Sequence, residues 1–257
     1  MDEYNGYFRL ATTSQIDSTQ QNNVYVLNTD LNITGKLENL AKDERVYSAR
    51  FMDDKCYLVT YKQVDPFFVL DMSNPDEPKV AGELKIPGYS SYLHLYDENH
   101  VIGLGKEDGN VKLSLFDVSD VNNPTEIPKY IVEGDYTDSE ALQEPKAFLF
   151  DKEKELLVIP ISQTNYGVVD TRDGESTATQ GGFWQGAYVF KITANGFTLK
   201  GSITHQDTTS SQYYGYDYNL QVHRALYIDN TLYTVSNTKV LLNNLDTLSL
   251  ITEVNLQ

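Results

Sequence analysis

Residues 48–59 read SARFMDDKCYLV, an apolar strand followed by a tight acidic turn and a second apolar strand. The same pattern recurs at residues 92–102, 147–158 and 225–235. Asp53, Asp97, Asp151 and Asp229 occupy the same place in each turn. A short polar side chain there can bond its own backbone and accept the dihedral angles of a turn. Each copy therefore predicts a β-hairpin.

A second pair of strands follows each hairpin. After the first copy, FVLD at 68–71 leads through a turn with proline to VAGEL at 80–84. Two hairpins make a four-stranded antiparallel unit whose turn aspartate recurs 44 residues on, from position 53 to position 97. This is the period of a propeller blade, whose faces are buried only when neighbouring blades stack. The sequence predicts an all-β β-propeller in a single domain, with about five blades at approximately 1–40, 46–86, 91–133, 146–205 and 222–257.

The first of these units has fewer residues than the others. Its first apolar strand is YFRLA at 7–11, with only residues 1–6 in front of it. We therefore expect the first blade to lack its inner strand. Either residues 1–4 form a stub of that strand, or the ring is completed by more chain of a longer protein or by another subunit. Of these, we favour a piece of a longer protein, because an unpaired blade edge invites aggregation.

Charge and hydropathy exclude several classes of partner. The 257 residues carry 20 basic and 37 acidic side chains, a formal net charge of -17. Nucleic acid and anionic membranes would be repelled, whereas cationic partners stay open. No apolar run approaches the roughly 18 residues of a membrane span, and Met-Asp-Glu is not the start of a signal peptide, so any export signal would lie upstream. The lone Cys56 is expected in the core.

Long loops rich in tyrosine predict a binding face. Residues 134–145, 163–186 and 206–219 are longer than most connections in compact domains, and such loops are often functional. Rigid aromatic rings with a polar tip give contact area at low entropic cost. The predicted binding residues, for a protein or glycan partner, are Tyr89, Tyr136, Tyr166, Trp184, Tyr213, Tyr214, Tyr216 and Tyr218. The alternative is that some of these tyrosines merely cover the ends of the core.

Acidic turns raise the alternative of calcium as a cofactor, since hard cations take clustered carboxylates and carbonyls. The candidate ligands are Asp71, Asp76, Asp117, Asp120, Asp170 and Asp173. None of these turns matches a full EF-hand pattern, and ordinary hydrogen-bonded turns are favoured over metal sites.

Catalytic motifs are missing. His94, His100, His205 and His223 are not spaced as zinc ligands, and no hydrolase elbow or nucleotide loop is present. Acidic pairs are too numerous for one to mark a glycosidase. A non-enzymatic protein is predicted, with a hydrolase using an acidic pair as the less favoured alternative.

Five stretches carry a family resemblance, at residues 1–13, 47–51, 63–71, 87–94 and 146–151. In them the chain resembles a family of secreted archaeal and bacterial proteins with a C-terminal β-propeller domain. The resemblance implies an extracellular or cell-surface location and longer members, but no established activity and no site residues. The expected function is a non-enzymatic interaction or scaffold module that binds protein or glycan, or self-assembles, or binds the remainder of its own chain. The alternative is a calcium-dependent or glycan-binding, lectin-like propeller.

Overall fold

A computed structural model describes residues 1–16, 19–61, 65–167, 169–172, 175–178, 181–206 and 217–256. The chain forms two compact units, one of residues 1–108 and 112–129, the other of residues 109–111 and 130–257. Among the described residues, no helix is long and apolar enough to cross a membrane.

The first unit contains two antiparallel four-stranded sheets and most of a third, each built from consecutive strands. Blade 1 consists of β1 (Asp2–Tyr4), β2 (Tyr7–Ile16), β3 (Thr19–Leu27) and β4 (Ile33–Leu40). Blade 2 consists of β5 (Arg45–Met52), β6 (Lys55–Tyr61), β7 (Asp65–Asp71) and β8 (Lys79–Ile86). Blade 3 consists of β9 (Tyr89–Asp97), β10 (His100–Glu107), β11 (Asn110–Asp117) and β12 (Thr125–Ile131).

The second unit contains two further sheets. Blade 4 consists of β13 (Tyr136–Asp138), β14 (Leu149–Asp151), β15 (Leu156–Asn165), β18 (Gly182–Thr193) and β19 (Gly196–Ile203), with the small hairpin β16 (Val169–Arg172) and β17 (Glu175–Ala178) inserted between β15 and β18. Blade 5 consists of β20 (Arg224–Ile228), β21 (Thr231–Val235), β22 (Lys239–Asn244) and β23 (Leu250–Asn255). Short 3-10 helices lie at Glu140–Leu142, Pro145–Ala147 and Tyr218–Leu220. The all-β architecture of about five antiparallel four-stranded blades is confirmed.

The inner strand expected to be missing from blade 1 is present. This strand has three residues: Asp2 pairs with Arg9, Glu3 with Phe8 and Tyr4 with Tyr7. Asn5 and Gly6, both with positive φ, form the turn between the two strands. The stub considered for residues 1–4 is therefore the strand β1.

The predicted aspartate turns form as expected, by two local devices. Asp53 and Asp229 adopt positive φ angles of 46° and 51°, a region that short polar side chains tolerate. The Asp97 and Asp151 carboxylates instead accept hydrogen bonds from the backbone N–H of Asn99 and Lys154, at 3.0 and 2.9 Å. Both devices close a hairpin, β5–β6 and β20–β21 in the first case and β9–β10 and β14–β15 in the second.

Alternation along the strands of blade 2 divides its side chains between two cores. Cys56 and Leu58 pack in one cluster with Val24 and Val26 of blade 1. Tyr57 and the other alternate residues pack in a second cluster with residues of blade 3. Because successive side chains of a strand point to opposite faces, blade 2 is covered on both sides. Cys56 is fully buried, as expected, and burial raises the pKa of its thiol.

Glycines in the outer strands let the blades of the first unit approach closely. A Cβ on Gly35 would lie 2.1 Å from the Pro75 carbonyl oxygen, and one on Gly82 would lie 2.3 Å from that of Val121. In both cases the turn before the outer strand of the following blade fills the space of a side chain.

The prediction of a loop over residues 163–186 was wrong at both ends. Strands β15 and β18 remain paired out to Asn165 and Gly182, beyond the blade itself. The sequence did not predict a strand there, because residues such as Gln163 and Thr164 are polar and the segment lacks the apolar alternation that marks a half-buried strand.

Candidate functional site

The inner strand of blade 4 is interrupted, and the interruption shapes a cleft. Strands β13 and β14 both pair with β15, and residues 139–148 between them leave the sheet. Ser139 begins the excursion, its Oγ accepting a hydrogen bond from the Ala141 N–H at 3.3 Å and donating to the Pro160 carbonyl at 2.6 Å. Glu144 and Pro145 then start a second short helix by the usual preference for a cap and an N-terminal proline.

The register of β13 sets which of its side chains reach solvent. Tyr136 lies opposite Thr164, and Asp138 lies opposite Ser162. Thr137 between them is buried, and its Oγ1 accepts a hydrogen bond from the Val111 N–H at 2.7 Å. Tyr136 and Asp138 are therefore exposed side by side on the same face of the strand, about 7 Å apart along it.

A cleft of about 320 Å³ opens beside Asp138. All of its lining residues have polar side chains, three of them carboxylates. The lining residues are Asp138, Ser139, Glu140, Gln143, Glu144, Ser162 and Gln221.

Two side chains from the start of blade 5 contact the carboxylates of the cleft. His223 Nδ1 lies 2.6 Å from Glu140 Oε2, and an Arg224 guanidinium nitrogen lies 3.8 Å from Glu144 Oε2. With its three carboxylates the cleft can accept hydrogen bonds and positive charge, while Gln143, Gln221 and Ser162 also offer donors.

Tyr218 lies in the segment before blade 5 that also carries the cleft residue Gln221. Asp217 caps the short helix Tyr218–Leu220 by accepting a hydrogen bond from the Asn219 N–H at 2.8 Å. The Gln206 amide fixes this segment from the other side, donating to the Asp217 carbonyl at 2.7 Å and accepting from its N–H at 3.1 Å. Tyr218 is 75% exposed, three residues before the cleft residue Gln221.

Tyr166 extends the aromatic surface at the end of β15. Its N–H donates to Asp135 Oδ2 at 2.6 Å, while the Asp135 N–H donates to the Thr164 carbonyl at 3.1 Å. These bonds fix the backbone of Tyr166, whose side chain is 65% exposed. We call Tyr136, Tyr166 and Tyr218 together with the cleft the tyrosine surface.

Two predicted binding residues, Trp184 and Tyr89, do not belong to the tyrosine surface. Trp184 lies on β18 opposite Gln163, and its half-buried ring packs 5.2 Å from that of Tyr188. Tyr89 belongs to the first unit, at the start of β9, with its ring 4.9 Å from that of Tyr47. Tyr213, Tyr214 and Tyr216 lie outside the described residues.

The predicted calcium ligands take part in turn hydrogen bonds. Asp71 and Asp117 each accept a hydrogen bond from the backbone N–H of the serine two residues later, at 2.9 Å. Hydrogen bonds from the hydroxyl and the N–H of that serine hold the pKa of both carboxyl groups below the usual range. Asp120 accepts from the Asn123 amide at 2.8 Å and from the Asn122 N–H, which likewise lower its pKa. Asp76 donates its N–H to Asn74 Oδ1 at 3.2 Å.

Calcium binding stays a prediction. Within the described ranges, no three side chains of His, Cys, Asp or Glu cluster as a metal site. Asp173 lies outside the described residues, and Asp170 lies on β16, whose side chains are not described.

His94 lies on β9, the inner strand of blade 3 in the first unit. The Tyr92 hydroxyl lies 3.0 Å from its Nδ1. Burial, together with the positive charge of Arg50, lowers the pKa of His94 to about 4, so the ring is neutral at pH 7. His94 is therefore a packed, neutral histidine.

Comparison with known proteins agrees with this architecture. The profile of the family described as "Beta propeller domain" matches residues 1–248. The chain belongs to this beta propeller family. An uncharacterized protein of Methanocaldococcus jannaschii is 42% identical over 240 residues, which cover 92% of this chain and 33% of that protein. An uncharacterized protein of Archaeoglobus fulgidus is 49% identical over 174 residues, covering 68% of this chain and 27% of the relative. This beta propeller thus spans about a third or less of the length of these relatives.

Solved structures resemble the beta propeller more distantly. The WD40 domain of Neurospora crassa Pan2 covers 91% of this chain and is matched over 61% of its own, with 9% identity and a TM-score of 0.46. A europium-containing methanol dehydrogenase covers 98% of this chain and is matched over 53% of its own, with 10% identity and a TM-score of 0.47.

The carboxylates of the cleft were not singled out from the sequence of this beta propeller. Glu140 and Glu144 lie in the stretch 134–145, whose length and aromatic content pointed to function. The usable signal was Ser139, a helix N-cap, and Pro145, the first residue of the next short helix, which together interrupt an inner strand. Ser162 lies on β15 and Gln221 in the segment before β20, and only folding brings them to the cleft.

Proposed function

We propose that this beta propeller is a non-enzymatic interaction module that binds a basic, polar segment of a protein partner at the tyrosine surface. The observation that carries the proposal is that Tyr136 and Asp138 lie on the same exposed face of β13, beside a cleft lined by three carboxylates. Aromatic rings attract lysine and arginine cations, and adjacent carboxylates pair with the same groups.

The geometry supports a peptide rather than a flat contact. The cleft beside Asp138, of about 320 Å³, is large enough for one or two long side chains. Hot spots of binding energy concentrate in aromatic residues around such desolvated pockets. The backbone bonds to Asp135, Asp217 and Gln206 hold the aromatic residues in place before a partner arrives, which limits the entropy lost on binding.

The charge of the whole chain favours the same class of partner. A net charge of -17 attracts basic segments from a distance and raises the association rate at low salt. Export to the cell surface or the extracellular medium is part of the proposal and rests on the family resemblance.

The test uses synthetic 12-residue peptides of matched length, one set rich in lysine and arginine and one rich in glutamate. Fluorescence anisotropy would measure their binding to the wild-type chain and to Tyr136→Ala, Tyr218→Ala and Asp138→Asn. The control is Tyr47→Ala, which removes another exposed tyrosine. We expect only basic peptides to bind, with each surface variant weakening affinity about tenfold and the control leaving it unchanged.

Equal binding of both peptide sets, or equal loss in the control, would refute the proposal. A glycan array probed with and without calcium tests the lectin-like alternative. Glycan binding that is lost in Tyr136→Ala while basic peptides do not bind would transfer this surface to a carbohydrate ligand. Turnover of a glycoside that is lost in Glu140→Gln would transfer it to a hydrolase.

A further inference from the structure

A second cavity lies within the first unit, between the β1–β2 hairpin of blade 1 and two turns of blade 2. Its volume is about 210 Å³. The turns of blade 2 contribute Asp54 and, from the segment after β7, Met72, Ser73 and Pro75. None of the residues that line this cavity belongs to the tyrosine surface, so the two sites are separate.

The register of the β1–β2 hairpin brings two tyrosines and an arginine to the cavity. Tyr4 lies directly opposite Tyr7, and Asp2 lies directly opposite Arg9. Directly opposite residues share a face of a sheet, as do residues two apart along a strand, so these four side chains form one face of the hairpin. That face points to blade 2, since the Arg9 guanidinium donates a hydrogen bond to the Asp53 carbonyl.

Arg9 is a buried, pre-oriented donor at the cavity. Its guanidinium lies 4.8 Å from the ring centroid of Tyr4 and 5.2 Å from that of Phe51. Within the described part of the chain, its hydrogen bonds to Asp2 and Asp53 use three of the five N–H groups of a guanidinium. The other two N–H groups can donate to an acceptor in the cavity.

The corresponding position of blade 2 holds a different side chain. Counting two residues on from the pair that closes the first hairpin, Arg9 of blade 1 corresponds to Tyr57 of blade 2. Tyr57 is fully buried and packs with residues of blade 3, whereas Arg9 borders the cavity. Replacing a buried ion pair by apolar side chains is often neutral or stabilising, so stability alone does not account for Arg9 and Asp2 at this place.

Charges of both signs around the cavity favour a neutral ligand. Arg9 pairs with Asp2 at 2.6 Å, and Asp54 lies 3.5 Å from Lys55. A cation in the cavity would be repelled by Arg9, and an anion would be repelled by Asp54. A ligand without net charge can use both groups as hydrogen-bonding partners and meets neither repulsion.

The other lining residues combine hydrogen-bonding groups with apolar walls. The Asn5 amide and the Ser73 hydroxyl can each both donate and accept hydrogen bonds. Val26 and Met72 are buried, and they give the cavity an apolar wall. A ring with hydroxyl groups along its edge and C–H groups on its faces matches this combination.

We propose that this cavity binds one neutral pyranose ring of a glycan. The hydroxyl groups of the sugar exchange hydrogen bonds with Arg9, Asp54 and Asn5, and its C–H face packs on the tyrosine rings. A volume of about 210 Å³ lies below the roughly 300–1,000 Å³ of sites for drug-sized ligands, which suits a single ring.

Local hydrogen bonds hold the walls in place before a sugar arrives. The Gly6 N–H donates to Glu3 Oε1 at 3.0 Å across the turn that carries Asn5. The Met72 N–H donates to the Asp54 carbonyl at 2.7 Å, which joins the two turns of blade 2. Such preorganisation reduces the entropy lost on binding.

The test measures sugar binding to the full chain by saturation-transfer NMR and titration. The probes are the neutral methyl glycosides of glucose, galactose, mannose and N-acetylglucosamine, with the methyl glycosides of glucuronic acid and glucosamine as charged counterparts. We expect at least one neutral glycoside to bind and its charged counterparts to bind more weakly.

Two variants remove groups of the cavity without disturbing the hairpins. Asp54→Ala removes a half-exposed carboxylate, and Asn5→Gly removes an amide at a φ of 52°, which glycine adopts readily. Each should weaken sugar binding about tenfold, because a hydroxyl of the ligand loses its partner. The controls are Glu98→Ala, in the equivalent turn of blade 3, and Tyr218→Ala, in the tyrosine surface. Both controls should leave the affinity unchanged.

The proposal is overturned if none of the neutral glycosides gives a saturation-transfer signal, or if the charged counterparts bind equally well. Binding that survives both Asp54→Ala and Asn5→Gly, or that is lost in Tyr218→Ala, would place the sugar elsewhere and would equally overturn it. Failure of basic peptides to bind at the tyrosine surface leaves these outcomes unaffected, because the two sites share no residue.

Discussion

Gln185 on β18 and the backbone of Val222 exchange two hydrogen bonds in the second unit. The Gln185 amide donates to the Val222 carbonyl and accepts from its N–H, both at 2.9 Å. Both residues are almost fully buried, at 1% and 0% exposed. The Gln185 side chain thus makes the two backbone hydrogen bonds that a neighbouring strand would make just before blade 5. It also fixes the segment that contains Tyr218 and Gln221, which belong to the tyrosine surface.

We expect Gln185→Ala to lower the free energy of unfolding by about 2–3 kcal/mol. Truncation leaves the buried N–H and carbonyl of Val222 without their partner, which costs more than an exposed hydrogen bond. Urea denaturation followed by circular dichroism measures the change. The matched control is Gln15→Ala on an exposed position of β2, where a change beyond about 0.5 kcal/mol is not expected. Equal effects of the two variants would contradict the role of the bonds to Val222.

Gly82→Ala should destabilise the first unit by about 2–3 kcal/mol. The new Cβ would meet the Val121 carbonyl at 2.3 Å and the Pro124 ring at 2.8 Å, and backbone must move to make room. Gly182→Ala is the control, since nothing lies within 4 Å of a Cβ there. Thermal unfolding should show a lower melting temperature for the first variant and little change for the second. Two indistinguishable variants would mean that the blades tolerate a side chain at this contact.

Arg9→Met should cost about 3 kcal/mol of stability. The Arg9 guanidinium is buried, bonds both oxygens of Asp2 at 2.9 and 2.6 Å, and lies 4.8 and 5.2 Å from the ring centroids of Tyr4 and Phe51. Removing one partner of a largely buried pair leaves the other without compensation. Arg50→Met, at an exposed position of β5, is the control and should leave the urea midpoint nearly unchanged. A loss no larger than that of the control would show that Asp2 is adequately solvated without Arg9.

Stability should fall as the pH drops from about 6.5 to about 4, with His205 as one cause. Burial lowers the pKa of His205 from 6.5 to about 4, and its ring nitrogens lie 3.0 and 2.9 Å from the hydroxyls of Ser236 and Thr234. Between those pH values the unfolded state binds a proton that the folded state does not, so acid favours unfolding. Below pH 4 both states are protonated and the contribution stops changing.

Urea midpoints at pH 7.5, 6.0 and 5.0 test the titration of His205. His205→Gln should flatten the pH dependence, even though it lowers stability at pH 7.5 by disturbing the two hydroxyl contacts. His94→Gln should flatten it in part as well, since the pKa of His94 is also lowered to about 4. A wild-type midpoint that does not move over this range would refute the assignment.

The sequence predicted the blades because their signals are local. The turn at Asp53 and the alternation that buries Cys56 on one side and Tyr57 on the other lie within a few residues of each other. Such short-range patterns specify a hairpin and its two faces before any distant contact forms. The same reasoning missed the extension of β15 to Asn165, where polar strand residues carry no alternation.

The amino-acid sequence by itself determined that this beta propeller is built of repeated four-stranded sheets with apolar faces, since strand period and turn chemistry are properties of neighbouring residues. Only the tertiary structure decided where a ligand could bind. The cleft combines Asp138, Ser162 and Gln221, which are far apart in the chain, and it exists because β13 pairs with the far end of β15 while residues 139–148 leave the sheet. Contacts of that range depend on which strand ends meet in space, and no local pattern encodes that meeting.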